Sequence, residues 1–386
     1  MQRNLTKIRK AFKEPQIVWS HLNRKIALVP YWIAKAGYNS ESGFSFPPLR
    51  VAIAVNSVCN MRCAMCDIGQ RQEDLQFYKN IRDRKTTLSF QVFKELIDEV
   101  KHFRPVIAFN LVEPLLHKDI LTFVEYVTRS GLRCWITTNG YLLERFATKL
   151  VEAKTTLIHV SVDGPAEVHN KIRGVADSFE KAYTGVRKLI ETKEELNRTL
   201  PEINISYTIS DYNSHYLKQT ADIFREVGVD RITFTHLNFI TEWMAEAHNE
   251  KFGHLCEVAP SSVSVINPKD TDVDDLVEQI KLVKTNYSKG FAIFSPDIAT
   301  FNGISTWYNR PEIFVSNPKC NVPWRNAQIL ANGDVVPSSR CFNIVMGNIY
   351  RHSFLKIWNG PTIRNFRKEL RNIGATPACS RCCGIA

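Results

Sequence analysis

From residue 51 to about 238 the sequence alternates short β-branched runs with amphipathic helical stretches, and this alternation limits the fold more than any other feature. Six runs read as strands: 51–57, 106–112, 133–139, 157–163, 203–209 and 231–238. Between them lie segments such as "SFQVFKELIDEVKHF" and "DILTFVEYVTRSG", where apolar residues recur every three or four positions to make one buried helical face. Parallel strands joined by helices cross over right-handedly, so the units are expected to curl into an α/β fold, a partial (β/α)6 TIM-like barrel. Functional groups in such a barrel collect where its strands end.

The first strand runs directly into "NSVCNMRCAMCDIGQ", which places Cys59, Cys63 and Cys66 in the spacing C-x-x-x-C-x-x-C with no fourth ligand nearby. Zinc prefers four closed ligands, and a zinc site or a chance grouping is the alternative to be weighed. Three thiolates on a 4Fe–4S cube leave one iron open, and that iron can chelate adjacent amine and carboxylate groups. Glu113, the pair Thr138 and Asn139, and Asp163 mark the ends of the next three strands. Of the remaining cysteines, Cys320, Cys341, Cys379, Cys382 and Cys383 fall near the end, while Cys134 and Cys256 stand alone. Cys134 lies in a strand and reads as a small buried hydrophobe. Cys256 has no partner motif and reads as inert, with donation of a hydrogen atom or ligation of iron as the alternatives.

With 44% hydrophobic residues among 386, the chain can fill a large core and a smaller one. It has no apolar run long enough to span a bilayer and no secretory cleavage pattern, so a cytoplasmic setting is expected, in which thiolates serve as metal ligands. Of the net charge of +11, residues 1–36 carry eight Lys or Arg against Glu14 alone. This basic arm reads as an amphipathic segment packed on the barrel, with peripheral contact to an anionic membrane as the alternative. No nucleic-acid module accompanies it, and no nucleic-acid partner is expected. The expected organisation is an arm over 1–48, a barrel over 49–240, a bridge over 241–318 and a C-terminal unit over 319–386.

The segment C59-N-M-R-C63-A-M-C66 after a first barrel strand resembles the signature of the radical S-adenosylmethionine (radical SAM) superfamily. "VEPLLHKDI" is similar to that family's G-G-E-P segment, with Leu111 and Val112 in place of the two glycines, and Met65 stands where many members carry an aromatic residue. "ITTNG" and "VSVDGPAEVHNKIRG" resemble further family segments. The resemblance implies a three-cysteine 4Fe–4S cluster holding S-adenosylmethionine. It further implies Glu113 on the methionine amine, Thr138 or Asn139 at the ribose or carboxylate, Ser161 at the ribose, Asp163 in the S-x-D-G segment, and Arg173 on the carboxylate. Residues 319–386 resemble a SPASM or twitch-like α+β domain, which implies a second, auxiliary 4Fe–4S cluster on Cys320, Cys341, Cys379 and Cys382. Cys383 is an alternative to Cys382, and a zinc ribbon an alternative to the cluster.

Such a chain is expected to cleave S-adenosylmethionine reductively, with electrons from a donor such as flavodoxin or ferredoxin. The 5'-deoxyadenosyl radical would take a hydrogen atom from a sugar, aminocyclitol or similar alcohol, and the auxiliary cluster would accept the remaining electron. His236, Tyr207 and His159, on late strands, are the candidate bases for the hydroxyl proton. A peptide-modifying enzyme and a non-catalytic iron–sulfur protein are the competing readings.

Overall fold

The structure, a computed structural model, describes residues 37–75, 77, 78, 81, 86–315, 318–342 and 344–382. The basic arm up to residue 36 and Cys383 lie outside the described residues.

One ten-stranded sheet organises the chain, in the order β10-β9-β8-β1-β2-β3-β4-β5-β6-β7. Its parallel wall comprises β1 (Arg50–Ile53), β2 (Val106–Phe109), β3 (Arg133–Thr138), β4 (Leu157–Ser161), β5 (Glu202–Ile209), β6 (Arg231–His236) and β7 (Ala292–Ser295). β7 arises in the segment expected to be a bridge. It is only four residues long, between Gly290 and Pro296, too short for alternation to announce it.

At the opposite edge β8 (Asn326–Ile329) pairs with β1 in parallel and continues antiparallel into β9 (Asp334–Val336) and β10 (Gly347–Asn348). The C-terminal hairpin is therefore a continuation of the barrel wall. Its turn closes through Gly333, whose φ of 85° suits a residue without Cβ.

The helices cover one face of the sheet, as their apolar stripes require. Phe93 of helix Phe90–Val100 and Phe123 of helix Ile120–Arg129 pack on Phe109, all three fully buried. After β3, Gly140 lies so close to helix Ser178–Glu195 that a Cβ would come within 2.7 Å of Ala182 and 3.0 Å of Val160. Val160 thus faces the helices, and the alternate residues His159 and Ser161 face the lumen.

No helix among the described residues is long and apolar enough to cross a membrane.

Candidate active site

The loop carrying Cys59, Cys63 and Cys66 is clamped from three directions. Asn56 donates from its amide to the Glu113 carbonyl at 3.0 Å, tying the loop to the end of β2. The backbone N–H groups of Arg62 and Ala64 donate to the carbonyls of Arg173 and Ile172, at 3.0 and 2.9 Å, at the C-terminal end of helix Ala166–Arg173. Asp67, fully buried, accepts from the Ser261 hydroxyl at 2.7 Å and the Ser262 N–H at 2.8 Å. Gly69 lets the chain fold back on itself, for a Cβ there would sit 2.6 Å from the Cys63 nitrogen.

Around this loop stand two buried carboxylates. Glu113 accepts from the Thr138 hydroxyl at 2.8 Å and from the N–H groups of Asn139 at 2.7 Å and Leu115 at 3.0 Å. Burial outweighs these donors and lifts its carboxyl to about 7. A carboxylate offers about four acceptor positions, so one remains for an incoming ammonium. Asp163 forms an ion pair of 2.6 Å with Arg173 and accepts from the Thr208 N–H at 2.9 Å. Burial raises its carboxyl against the pull of the guanidinium.

A partner of each carboxylate reaches a thiol. The other arm of Arg173 lies 3.6 Å from the Cys63 sulfur, and the Asn139 amide lies 3.9 Å from the Cys59 sulfur while donating to Asn60 at 2.7 Å. Burial pushes the Cys63 thiol up to about 12, with Arg173 opposing, so without metal it stays protonated. Ligation to iron removes that proton and shares the charge.

The three-thiol loop fits a 4Fe–4S cube with one open iron: each of two sulfurs has a donor aimed at it, and an acceptor for an amine stands beside Cys59. Among the described residues, no three His, Cys, Asp or Glu side chains converge as the ligands of one ion would.

The structure brings together Cys59, Cys63, Glu113, Thr138, Asn139, Asp163 and Arg173, with Cys66 capping the short helix Asp67–Gln70 in the same loop. Ser161 pairs in register with Ser206 on the lumen face.

Two of the three candidate bases are corrected. Tyr207 and His236 project to the helix side of the sheet: the Tyr207 hydroxyl donates to the Asn213 carbonyl at 2.6 Å, and His236 Nδ1 lies 2.9 Å from the Tyr308 hydroxyl, both rings fully buried. His159 alone faces the lumen, where its Nδ1 meets the Asn204 amide at 2.9 Å. Burial lowers its pKa to about 4, leaving a neutral imidazole at physiological pH.

Sequence reasoning missed Asn56, Asn60, Asp67 and Asn213. Asn213 supports Asp163 by donating to its carbonyl at 3.0 Å. Only Asp67, directly after the third cysteine and acidic in a buried loop, left a signal in the sequence.

The second cysteine group lies where the C-terminus meets helix Phe301–Asn309. Cys320 and Cys379 are buried, Cys341 and Cys382 half-buried, and Thr376 Oγ1 lies 3.3 Å from the Cys379 sulfur. Between Cys379 and Cys382 sits Arg381, whose buried guanidinium donates to five carbonyls: Thr306, Trp307, Arg310, Ile313 and Ser380. Cys134 is fully buried in β3 as expected, but Cys256 is not isolated: it lies beside this group, 3.8 Å from His248.

This geometry agrees with what the chain is similar to. Residues 53–194 match the Radical SAM superfamily, and residues 320–383 match SPASM, an iron–sulfur cluster-binding domain. Residues 53–194 are thus a Radical SAM domain and residues 320–383 a SPASM domain, a pairing consistent with 4Fe–4S clusters and S-adenosylmethionine as cofactors.

Among curated relatives, the Fe-coproporphyrin III synthase of Methanosarcina barkeri is 31% identical over 181 residues, 46% of this chain and 41% of that one. The AdoMet-dependent heme synthase of Oleidesulfovibrio alaskensis is 31% identical over 178 residues, 45% of this chain and 41% of that one. The chain thus spans about two fifths of the length of these relatives. In overall fold it is similar to SuiB of Streptococcus suis bound to S-adenosylmethionine, with a TM-score of 0.60 at 15% identity, covering 94% of this chain and 80% of that one.

Proposed function

We propose that this chain is a radical SAM oxidoreductase that removes a hydrogen atom from a polar small molecule bearing an oxidisable alcohol and passes the remaining electron to an auxiliary cluster. The carrying observation is that Glu113 and Arg173, charges of opposite sign, stand beside different thiols of one loop, Cys59 and Cys63, as an amino acid's two ends require. When bound, the cluster and S-adenosylmethionine supply a 5'-deoxyadenosyl radical.

The protein's part is to orient. Glu113, held by Thr138 and Asn139, takes the ammonium; Arg173, aimed by Asp163, takes the carboxylate in the geometry a guanidinium favours. Thr138, Asn139 and Ser161 line the approach of the ribose. Turning an alcohol carbon into a carbonyl removes one hydrogen atom, one proton and one electron; Cys320, Cys341, Cys379 and Cys382 would hold the auxiliary cluster, which would supply the acceptor for that electron. His159 is the candidate acceptor of the proton.

A small-molecule substrate is favoured by the lumen wall, where His159, Asn204, Ser206 and Thr233 form a continuous set of polar side chains. The curated relatives are likewise named for small molecules, a porphyrin and heme. The proposed organisation keeps a barrel over 49–240 and a cluster unit over 319–386, with a donor such as flavodoxin or ferredoxin supplying the electron.

The test is anaerobic. Reduced protein is given S-adenosylmethionine with sugars and aminocyclitols, with carboxylated tetrapyrroles, or with peptides, and 5'-deoxyadenosine is measured. Alcohol-dependent release with matching ketone is expected. Release only with peptides overturns the substrate class, and no cleavage under any condition favours a non-catalytic iron–sulfur protein.

A further inference from the structure

The excess of positive charge has no part in the chemistry above. Residues 1–36, with eight Lys or Arg against Glu14 and with Phe12, Trp19 and Trp32 among them, lead into a strap, residues 39–46, that lies along helix Pro361–Ile373. Arg371 donates to the Asn39 carbonyl at 3.2 Å and Arg364 to the Ser42 carbonyl at 2.9 Å. Further along, Ser45 and Asn359 exchange two hydrogen bonds of 2.9 Å, and Trp358 donates to the Phe46 carbonyl at 2.8 Å.

The outer side of this strap carries apolar groups and the helix beside it carries charge. Ser45 is buried, while its neighbours Phe44 and Phe46 turn outward, 41% and 40% exposed, with their rings edge to face at 5.7 Å. Arg364, Lys368 and Arg371 follow one another at four and three residues, which sets them on one stripe of the helix. Among the described residues no ion pair joins any of these three to a carboxylate, and the acids closest in sequence, Glu41 and Glu369, are exposed. Arg367, buried beneath the stripe, adds a fourth charge, held by the Pro323, Gly43 and Trp358 carbonyls and the Asn359 amide oxygen rather than by an acid. Between strap and helix runs a groove of about 340 Å³, lined by Ser42, Asn359, Pro361, Arg364, Asn365 and Lys368. It opens at the helix start, where Gly360 has no side chain to close the first turn and the backbone adds partial positive charge.

Exposed rings are satisfied by an apolar medium and unpaired cations by anions. An acidic protein would meet only the second need, and no nucleic-acid module accompanies the rings. The surface of an anionic bilayer meets both, with phosphates at the cations and aromatic rings at the depth of the headgroups. We propose that the strap and helix Pro361–Ile373 form a docking face for an anionic lipid surface, with Phe44 and Phe46 entering the headgroup layer and Arg364, Lys368 and Arg371 pairing with lipid phosphates. The cations of residues 1–36 are joined to this face through residue 37. The proposal is independent of the substrate and of S-adenosylmethionine cleavage.

The full chain, reconstituted anaerobically, is sedimented with vesicles of phosphatidylcholine alone or with about a third phosphatidylglycerol, at low and at high salt. Binding to the anionic vesicles only, weakened by salt, is expected. Lys368 is exposed and makes none of the strap's hydrogen bonds, so Lys368→Glu changes charge without loosening the strap; it is expected to weaken binding at least about fivefold. Phe44→Ser combined with Phe46→Ser is expected to weaken it at least about tenfold. Lys281→Glu, the same change of charge on helix Val273–Asn286, is expected to leave binding within about twofold of the parent. Circular dichroism and iron content are expected to match the parent in every variant.

Parent-level binding by both Lys368→Glu and the double phenylalanine variant would overturn the proposal, because the arm alone would then hold the vesicle. Equal binding to neutral vesicles or no binding to either kind would overturn it too. So would retention of a DNA oligonucleotide or an acidic flavodoxin that anionic vesicles do not displace.

Discussion

The two cysteine groups are built on opposite electrostatic principles. Around Cys59, Cys63 and Cys66 the protein places a carboxylate, a guanidinium and an amide, all held by further hydrogen bonds and all at the lumen end of the strands. Around Cys320 and Cys379 it places apolar burial, one hydroxyl, and an arginine whose donors are spent on carbonyls. The first arrangement can recognise a zwitterion; the second can only enclose. Charged ligands orient a substrate at an open iron, whereas a closed, buried cluster is suited to holding an electron.

The sharpest way to break the comparison is to remove one thiol from each group. Cys63→Ala is expected to abolish S-adenosylmethionine cleavage, a loss of several orders of magnitude, together with one cluster's iron. Cys379→Ala is expected to leave cleavage measurable while removing the other cluster and the oxidised product. Iron analysis and 5'-deoxyadenosine release check both. Equal loss of cleavage in the two variants would mean that the groups are not separable.

Next in size is Arg381→Met. Its side chain is buried, and its bonds to the Thr306, Trp307 and Ser380 carbonyls are buried with it, so the change leaves several buried acceptors unsatisfied. A loss of at least about 3 kcal/mol is expected in urea unfolding, since each orphaned group costs about 1–3 kcal/mol. A near-neutral result would show that the second group does not depend on this anchor.

The comparison also separates what could be read in the sequence from what could not. The cysteine spacing, Glu113, Asn139 and Arg173 were legible because their chemistry fixes residue type at fixed offsets from strand ends. The bases were not. His159 and Tyr207 look alike in the sequence, each on a β-branched strand, yet register with a neighbouring strand turns His159 to the lumen and Tyr207 to the helices. When both faces of a parallel sheet are buried, hydrophobicity does not mark which parity is inward. β7 and Cys256 were hidden for a related reason: their meaning comes from contacts across long stretches of chain.

Glu113 gives a pH-dependent test of the first group. Its folded carboxyl titrates near 7, above its ordinary value of 4.5. In metal-free protein its contribution to stability is therefore complete below the ordinary value and is lost as pH rises through 7, by on the order of 3 kcal/mol. Binding reverses the preference, because an ammonium requires the ionised form. Affinity for S-adenosylmethionine is expected to rise between about pH 6 and about pH 8. Glu113→Gln should weaken binding at least about tenfold and flatten that rise, as read by equilibrium dialysis. An unchanged pH profile in the variant would remove Glu113 from the amine site.

The smallest effect concerns Leu111, which stands where the resembling family has glycine. Its φ of 78° is the left-handed conformation that a side chain disfavours by about 1–2 kcal/mol. The cost is tolerated because Leu111 and Val112 pack against Ile68, Phe77, Ile81, Leu330 and Val336, the same cluster that Cys59 and Cys66 pack against. Leu111→Gly relieves the strain and loses the contact, so the two offset and the net change is expected below about 1 kcal/mol. Leu111→Ala loses the contact but keeps the strain, and is expected to be the less stable of the two in urea unfolding. This inverts the usual order, in which glycine is the worse replacement. An alanine variant more stable than the glycine variant would show that the backbone relaxes there, and that the apolar cover over the cysteine loop, not the strained turn, decides how this chain departs from the glycine pattern.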